Sequence, residues 1–376
     1  MKVLINSYSA KRGGGQTYLR NLLESPPKDD LNLEIEVLAP PSLYFKETEN
    51  VRRLDLPYEK WLINPISRAL WERFILPKLL KTKGYDLLFC PGGLIGCQVP
   101  PTCKGVTMFR NMLPFDKKMR SKYPYGLFRL KLLILEKIFS SSYEKAHHVI
   151  FISNFAKNYL KNVKRLKIES SSTIHHGINS SFRKKQVNLR ELDMIPEEGY
   201  FLYVSTIDVY KSQIEVIEAY SILKKKINIQ EKLLLVGHEY TPYANKVRKL
   251  INELKLENDV ILTGPIKHEY LPTLYAKTKL NIFASQCENC PNILLESMAS
   301  GAPTIVSNSE PNPEFIKDLE IYFDPTSPAD IAQKMEEVFS DNLYRNNISK
   351  KLLELSESYS WENTASKTWE TIAKAK

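Results

Sequence analysis

Short apolar runs, each closed by turn residues, recur through the first half of the chain as "KVLINS", "LEIEVLAP", "YDLLFCP", "GVTMF" and "HHVIFIS", with helical segments between them. That alternation predicts a parallel sheet joined by crossover helices. The pattern breaks at residues 180–199, "SSFRKKQVNLRELDMIPEEG", which are polar, charged and poorly periodic, as a linker between domains is. It resumes with "YFLYVS", a helix from about Lys211 to Lys225, "KLLLVG", "YANKVRKLINELKL", "DVILTG", "KLNIFAS" and "PTIVS". The expected organisation is a first α/β domain over 1–183, a linker over 184–198, a second α/β domain over 199–355, and a closing helix over 356–376. That helix carries Trp361 and Trp369 and is expected to cross back to the first domain. In open parallel sheets ligands sit beyond the carboxyl ends of the strands, near the switch point of strand order. Two such domains facing each other would enclose a cleft, so chemistry is sought in the loops that follow the strands.

Composition agrees with this picture. A chain of 376 residues suits two domains of about 150–200 residues each. Its 43% apolar and 26% charged content is that of a soluble globular protein. "MKVLINSYSA" runs straight into a strand without the signature of a signal peptide, and no apolar run reaches the roughly 18 residues of a spanning helix. A cytoplasmic protein is expected. The five cysteines are an odd number in such a chain, so free thiols rather than a disulfide framework are expected.

The net charge of +10 concentrates between Lys117 and Lys145, where "YGLFRLKLLILEKIF" interleaves leucines and aromatics with cations. A helix lying on an anionic membrane surface has this pattern, and so has a core helix with snorkelling lysines. Nucleic-acid binding would rest on net charge alone, because aromatic-basic surface motifs are lacking, and no nucleic-acid partner is expected.

Two stretches carry chemistry. "SAKRGGGQTYLRNLLES" places Gly13, Gly14 and Gly15 before a helix, where backbone N–H groups and the positive end of the helix dipole can meet an anion. It is not a dinucleotide fingerprint, since Tyr18 occupies the third glycine position and the second strand ends in "VLAP" with no acid for a ribose. "CENCPNILLESMASGAPTIV" reads as a helix from Pro291 to Ser300, capped by Gly301. Glu288 precedes that helix, and Glu296 lies about 200° round from Leu294, off the apolar face. Either Glu296 belongs to a solvated face, or the two carboxylates clamp hydroxyl-bearing groups on either side of a diphosphate. Cys287 and Cys290 have no second close pair and are read as small residues rather than zinc ligands. An Asp-x-Asp clamp for a metal-bound diphosphate is missing, so lysines and helix termini would neutralise phosphate and no metal or other cofactor is expected.

This constellation resembles glycosyltransferase family 4, the retaining sugar-nucleotide transferases of the GT-B fold, in which two Rossmann-like parallel-sheet domains face each other across a cleft. Glu288 and Glu296 match the family's E-x7-E, and "GGGQTYL", "FRNMLPF", "VIFISNFAKN", "IHHGINSSF", "YVSTIDVYKSQ", "LLLVGHE", "VILTGPI" and the terminal "SW" helix follow in order over nearly the whole chain. The resemblance implies that Glu288 holds donor-sugar hydroxyls and Glu296 the nucleotide ribose. It implies that Lys211 meets the donor diphosphate beside Gly14 and Gly15, and that Pro265 and Ile266 line the base. Three departures stand out. Thr206 replaces a phosphate-binding Arg, and Asn289-Cys290-Pro291 replaces Gly-Phe-Gly ahead of Asn292, changing the contacts of that turn with the donor. Arg110 stands where many members have His, giving a permanent cation in place of a titratable group.

On this resemblance the chain is expected to move a hexose from a nucleotide-diphosphate sugar to a glycan or lipid-linked glycan acceptor, in O-antigen, capsule or exopolysaccharide synthesis at the inner membrane face. Departure of the nucleotide diphosphate builds negative charge, which preorganised cations and N–H dipoles stabilise. A same-face attack, with the leaving phosphate accepting the acceptor's proton, fits a site without an evident nucleophile; double displacement through Glu288 is the other route. A sugar-nucleotide epimerase or glycoside phosphorylase can share the fold and is the competing class.

Overall fold

The computed structural model describes the whole chain except residues 10–13, 184–188, 190, 191, 193, 197, 198 and 376. Gly13 and most of the expected linker 184–198 lie outside the described residues. The chain divides into two compact units. Unit 1 comprises Met1–Phe115, Gly126–Gly177 and Ser360–Lys376, and unit 2 comprises Asp116–Tyr125 and Ile178–Tyr359.

In chain order the first half holds β1 (Lys2–Asn6), α1 (Gly14–Glu24), β2 (Glu34–Leu38), β3 (Val51–Arg53), α2 (Glu59–Ile63), α3 (Pro65–Phe74), α4 (Leu76–Thr82), β4 (Leu87–Cys90), β5 (Lys104–Phe109), α5 (Lys117–Lys122), α6 (Leu127–Lys145), β6 (His148–Phe151), α7 (Asn154–Asn158) and β7 (Ser171–Thr173). Its sheet has the order β3-β2-β1-β4-β5-β6-β7, with every pairing parallel. Strands covered on both faces must be apolar throughout rather than alternating, and β4, all four of whose residues are buried, shows it. Helix starts follow side-chain chemistry. Asn64 Oδ1 accepts from Ile66 N at 2.8 Å ahead of Pro65, and Asp116 Oδ1 accepts from Met119 N at 2.9 Å.

The second half holds β8 (Tyr200–Val204), α8 (Gln213–Lys226), β9 (Lys232–Val236), α9 (Thr241–Glu253), β10 (Val260–Gly264), α10 (Leu271–Lys277), β11 (Leu280–Phe283), α11 (Asn292–Ala299), β12 (Thr304–Ser307), α12 (Asn312–Phe315), β13 (Tyr322–Phe323), α13 (Pro328–Ser340), α14 (Asn342–Ser356) and α15 (Trp361–Lys374). The order β10-β9-β8-β11-β12-β13 is again parallel. In each sheet the strand order reverses beside its first strand, between β1 and β4 and between β8 and β11. The loops after those strands therefore flank the place where an open sheet binds ligands.

The unit boundaries differ from the sequence expectation of an uninterrupted 1–183. Asp116–Tyr125 belongs to unit 2, held there by Tyr123, whose hydroxyl donates to Asp208 Oδ1 at 2.8 Å, and by Lys122, whose ammonium donates to Gln286 Oε1 at 2.8 Å. The chain changes unit at Ile178. Phe182 packs its ring on His268 and Tyr275, and Arg183 donates to the Ser356 carbonyl at 2.6 Å, so 178–183 folds with unit 2. α15 belongs to unit 1, where Trp369 Nε1 donates to the Ser25 carbonyl at 2.7 Å and Trp361 meets Tyr18 edge-on. All five cysteines are free. No described helix is long and apolar enough to cross a membrane.

Candidate active site

In unit 2 the loop after β8 carries Lys211 and the loop after β11 carries Glu288, and hydrogen bonds stitch the two loops together. Gln286 N–H donates to the Tyr210 carbonyl at 2.8 Å, and Gln286 Nε2 donates to Ser212 Oγ at 2.5 Å. Lys211 ends a short 3-10 turn, Val209–Lys211, that Asp208 caps through its carboxylate on Val209 N–H at 2.7 Å. The Lys211 carbonyl accepts from the Tyr203 hydroxyl at 2.6 Å, which fixes the end of the turn. The Lys211 ammonium then forms a direct ion pair with Glu288 Oε1, the two side chains being only 6% and 17% exposed. It also lies over the Tyr210 ring, 4.9 Å from its centre.

Burial works against the Lys211 charge. The Glu288 carboxylate, with help from the phenols of Tyr210 and Tyr203, outweighs it and holds the ammonium above its ordinary pKa. The site thus holds a buried cation at the carboxyl edge of β8. The Asp208 carboxyl is also raised, in its case by burial, although Tyr123 and Val209 N–H donate to it.

Beyond Glu288, the turn Asn289-Cys290-Pro291 is buried and leads into α11. Pro291 is the cap rather than the first helical residue expected from the sequence, because its ψ of 76° is not helical. Gly301 closes the helix with a φ of +67°. Glu296 is half-buried on the side away from Leu294 and Met298, and its Oε1 lies 3.2 Å from His268 Nε2. His268 opens the 3-10 turn that follows Pro265 and Ile266, so the expected base-lining segment and the expected ribose carboxylate are brought together. Pro265 and Thr206 are exposed, Ile266 and Asn292 half-buried.

In unit 1, Gly14 and Gly15 open α1, and Arg110 follows β5 with its guanidinium 5.3 Å from the Tyr18 ring centre. Tyr18 is fully buried. Its hydroxyl pairs with Thr368 Oγ1 at 3.2 Å and its ring packs on His176 and Trp361, so a bulky side chain, not a glycine, is what this position of α1 needs.

Sequence reasoning does not single out Asp208, Gln286 and His268. Asp208 lies within "YVSTIDVYKSQ" without a role of its own, and Gln286 stands two residues ahead of Glu288 with no motif to mark it. His268 stands two residues after Ile266, and only the 3-10 turn reveals that it faces Glu296.

The chain is 23% identical over 239 residues to an O-antigen chain mannosyltransferase B of Escherichia coli, covering 62% of each chain, and 27% identical over 249 residues to the capsular polysaccharide biosynthesis glycosyltransferase CapH of Staphylococcus aureus, covering 63% of each. It therefore spans less than two thirds of the length of these relatives, and only 28% of a serotype-specific mannosyltransferase of Escherichia coli that it matches at 26% identity. Over 86% of this chain and 85% of its own, an uncharacterized glycosyltransferase of Methanocaldococcus jannaschii is 26% identical. Among solved structures, a sucrose-phosphate synthase from Thermosynechococcus elongatus superposes with a TM-score of 0.73 at 18% identity, covering 99% of this chain and 98% of that one. The Anabaena HepE protein, solved in complex with UDP-glucose, does so with 0.72 at 16% identity over the full length of both. These likenesses show the GT-B fold. Two family models together match nearly the whole chain, Glycosyltransferase Family 4 over residues 12–182 and Glycosyl transferases group 1 over residues 185–353, and the chain belongs to this family of glycosyltransferases.

Proposed function

We propose that this chain transfers a hexose from a nucleotide-diphosphate sugar to a glycan acceptor with retention of anomeric configuration, the acceptor being a lipid-linked oligosaccharide of O-antigen, capsule or exopolysaccharide synthesis. The observation that carries this reading is the buried Lys211–Glu288 pair on the two loops that flank the β8/β11 switch point, immediately ahead of α11. The likeness to O-antigen and capsule transferases supports the acceptor class.

On this reading Lys211 and the N–H groups at the start of α11 take the diphosphate charge as the leaving group departs. Glu288 holds sugar hydroxyls while keeping Lys211 protonated. Glu296, released from His268, grips the ribose, and Pro265 and Ile266 line the base. Asn289, Cys290, Pro291 and Asn292 shape the turn around the sugar, and Thr206 stands on the neighbouring loop after β8. The acceptor hydroxyl attacks the anomeric carbon on the face the phosphate leaves. The carbon–oxygen bond to phosphate breaks, and the hydroxyl proton passes to the departing phosphate oxygen. Lys211 supplies the cation that a metal supplies elsewhere, so the reaction is read as metal-independent. Contact with the cytoplasmic face of the membrane through the basic stretch 117–145 would bring the enzyme to its acceptor.

The test is product analysis with a panel of sugar nucleotides and a lipid-linked acceptor, in the presence of a chelator. A glycosidic product with the donor's anomeric configuration, absent with Lys211→Ala, supports the reading. Conversion of the donor without acceptor points to an epimerase, and an inverted product removes the retaining mechanism.

A further inference from the structure

The basic stretch 117–145 is not one surface helix. Its first part, α5, belongs to unit 2; its second, α6, belongs to unit 1, and only Leu132, Ser142 and Tyr143 of the 19 residues of α6 are buried. Leu127, Leu130, Ile134 and Ile138, spaced three and four apart, are all exposed, Leu127 to 86%. The same is true of α2 and α3, which lie outside the basic stretch. Trp61 is 72% exposed and Ile66 73%, and Leu70 and Phe74 continue from Ile66 at four-residue intervals. Soluble monomers rarely expose apolar side chains in such runs.

Both sets lie on one side of unit 1. The β3-to-β4 and β5-to-β6 connections cross the sheet in the same direction, so right-handed crossovers lay α3 and α6 on the same face. The loop after β4 runs between them. Ile95 N–H donates to Ser142 Oγ of α6 at 2.8 Å, and the Glu72 side chain of α3 packs against Gly96.

The charges around these apolar positions are lopsided. Lys60, Arg68, Arg73, Arg129, Lys131, Lys137 and Lys145 stand against Glu59, Glu72, Glu136 and Glu144 on the three helices, and Glu72 is buried while Glu136 is paired with Lys164 at 2.5 Å. Beside Trp61 a groove of about 600 Å³ opens, lined in part by Leu56, Pro57, Tyr58, Lys60 and Ile63. Two copies of this chain meeting here would bring two basic rims together. An anionic bilayer takes both the apolar side chains and the cations.

We infer that α2, α3 and α6 form a single lipid-docking face, with Trp61, Ile66, Leu70 and Phe74 entering an anionic leaflet alongside the apolar stripe of α6. The inference rests on the reading of a lipid-linked acceptor and adds a second arm to the expected basic stretch. Its test is co-sedimentation of the full chain with vesicles of phosphatidylcholine alone or mixed with phosphatidylglycerol. The variants are Ile66→Glu/Phe74→Glu on α3 and Leu130→Glu/Ile134→Glu on α6. Nucleotide-induced thermal stabilisation checks that each variant is folded and still binds donor.

The expected result is binding to the anionic vesicles only, reduced about tenfold by each pair and by high salt. Loss with the α6 pair alone overturns the α3 arm. Equal binding to both vesicle types, or binding to neither, overturns the docking face. Self-association by light scattering that the α3 pair abolishes would assign the face to a second copy instead. Vesicle indifference in an enzyme that glycosylates a detergent-soluble acceptor would remove this inference and leave the transferase reading intact.

Discussion

Lys211 shows how one residue can be set by its neighbours rather than by its own chemistry. Alone, burial would drive the ammonium toward neutrality; beside Glu288 its pKa rises instead. A folded-state pKa above the unfolded one means that the pair contributes stability in full below the ordinary lysine value near 10.5 and loses it as pH climbs through the folded-state value. The melting-temperature difference between wild type and Lys211→Met should therefore stay constant from neutral pH to about pH 10 and shrink only above that, as a thermal-melt series against pH would show. In catalysis, Lys211→Ala removes the cation for the leaving group, and kcat should fall about a hundredfold to a thousandfold with the fold retained. A fall of less than about tenfold would move the leaving-group role elsewhere. Tyr123→Phe takes away the hydroxyl that Asp208 accepts and should cost about 1 kcal/mol in a denaturant titration.

At the scale of elements, the site is a product of where loops are allowed to approach. Gly237 follows β9 with a φ of +151°, and a Cβ there would stand 2.0 Å from the Ser205 carbonyl oxygen in the loop after β8. Gly237→Ala should destabilise the protein by about 1–3 kcal/mol and weaken donor binding with it, as the loop holding Thr206 is pushed aside. The apolar runs make ten strands legible in the sequence; eight of them, β1, β4, β5, β6, β8, β9, β11 and β12, are covered on both faces and carry the pattern in nearly every residue, whereas β2 and the edge strand β10 are only partly buried. The short edge strands β3, β7 and β13, of three, three and two residues, have no run to read. Within the site, Glu288, Glu296 and Lys211 are legible through their motif. Asp208 and His268 are not, since what marks them is a hydrogen bond across a turn. Likewise nothing in the spacing of "DKKMRSKYPY" says that Asp116–Tyr125 folds with unit 2, because the contacts that hold it there reach to Asp208 and Gln286.

For the whole molecule, positive charge has two separate uses on this account. One cation, Lys211, is buried against Glu288 beside the β8/β11 switch point for a diphosphate, and others lie beside exposed leucines and aromatics on α2, α3 and α6 for a lipid surface. The first use is central, because without a nucleotide-sugar donor the acceptor and the membrane have no reaction to serve. Thermal stabilisation by nucleoside diphosphates and sugar nucleotides, compared between wild type and Glu296→Ala, tests it most directly. The account predicts a shift that is selective for one base, grows with concentration, and is weakened in Glu296→Ala. A folded wild-type protein that no nucleotide stabilises, or a shift that Glu296→Ala leaves untouched, would contradict the donor clamp.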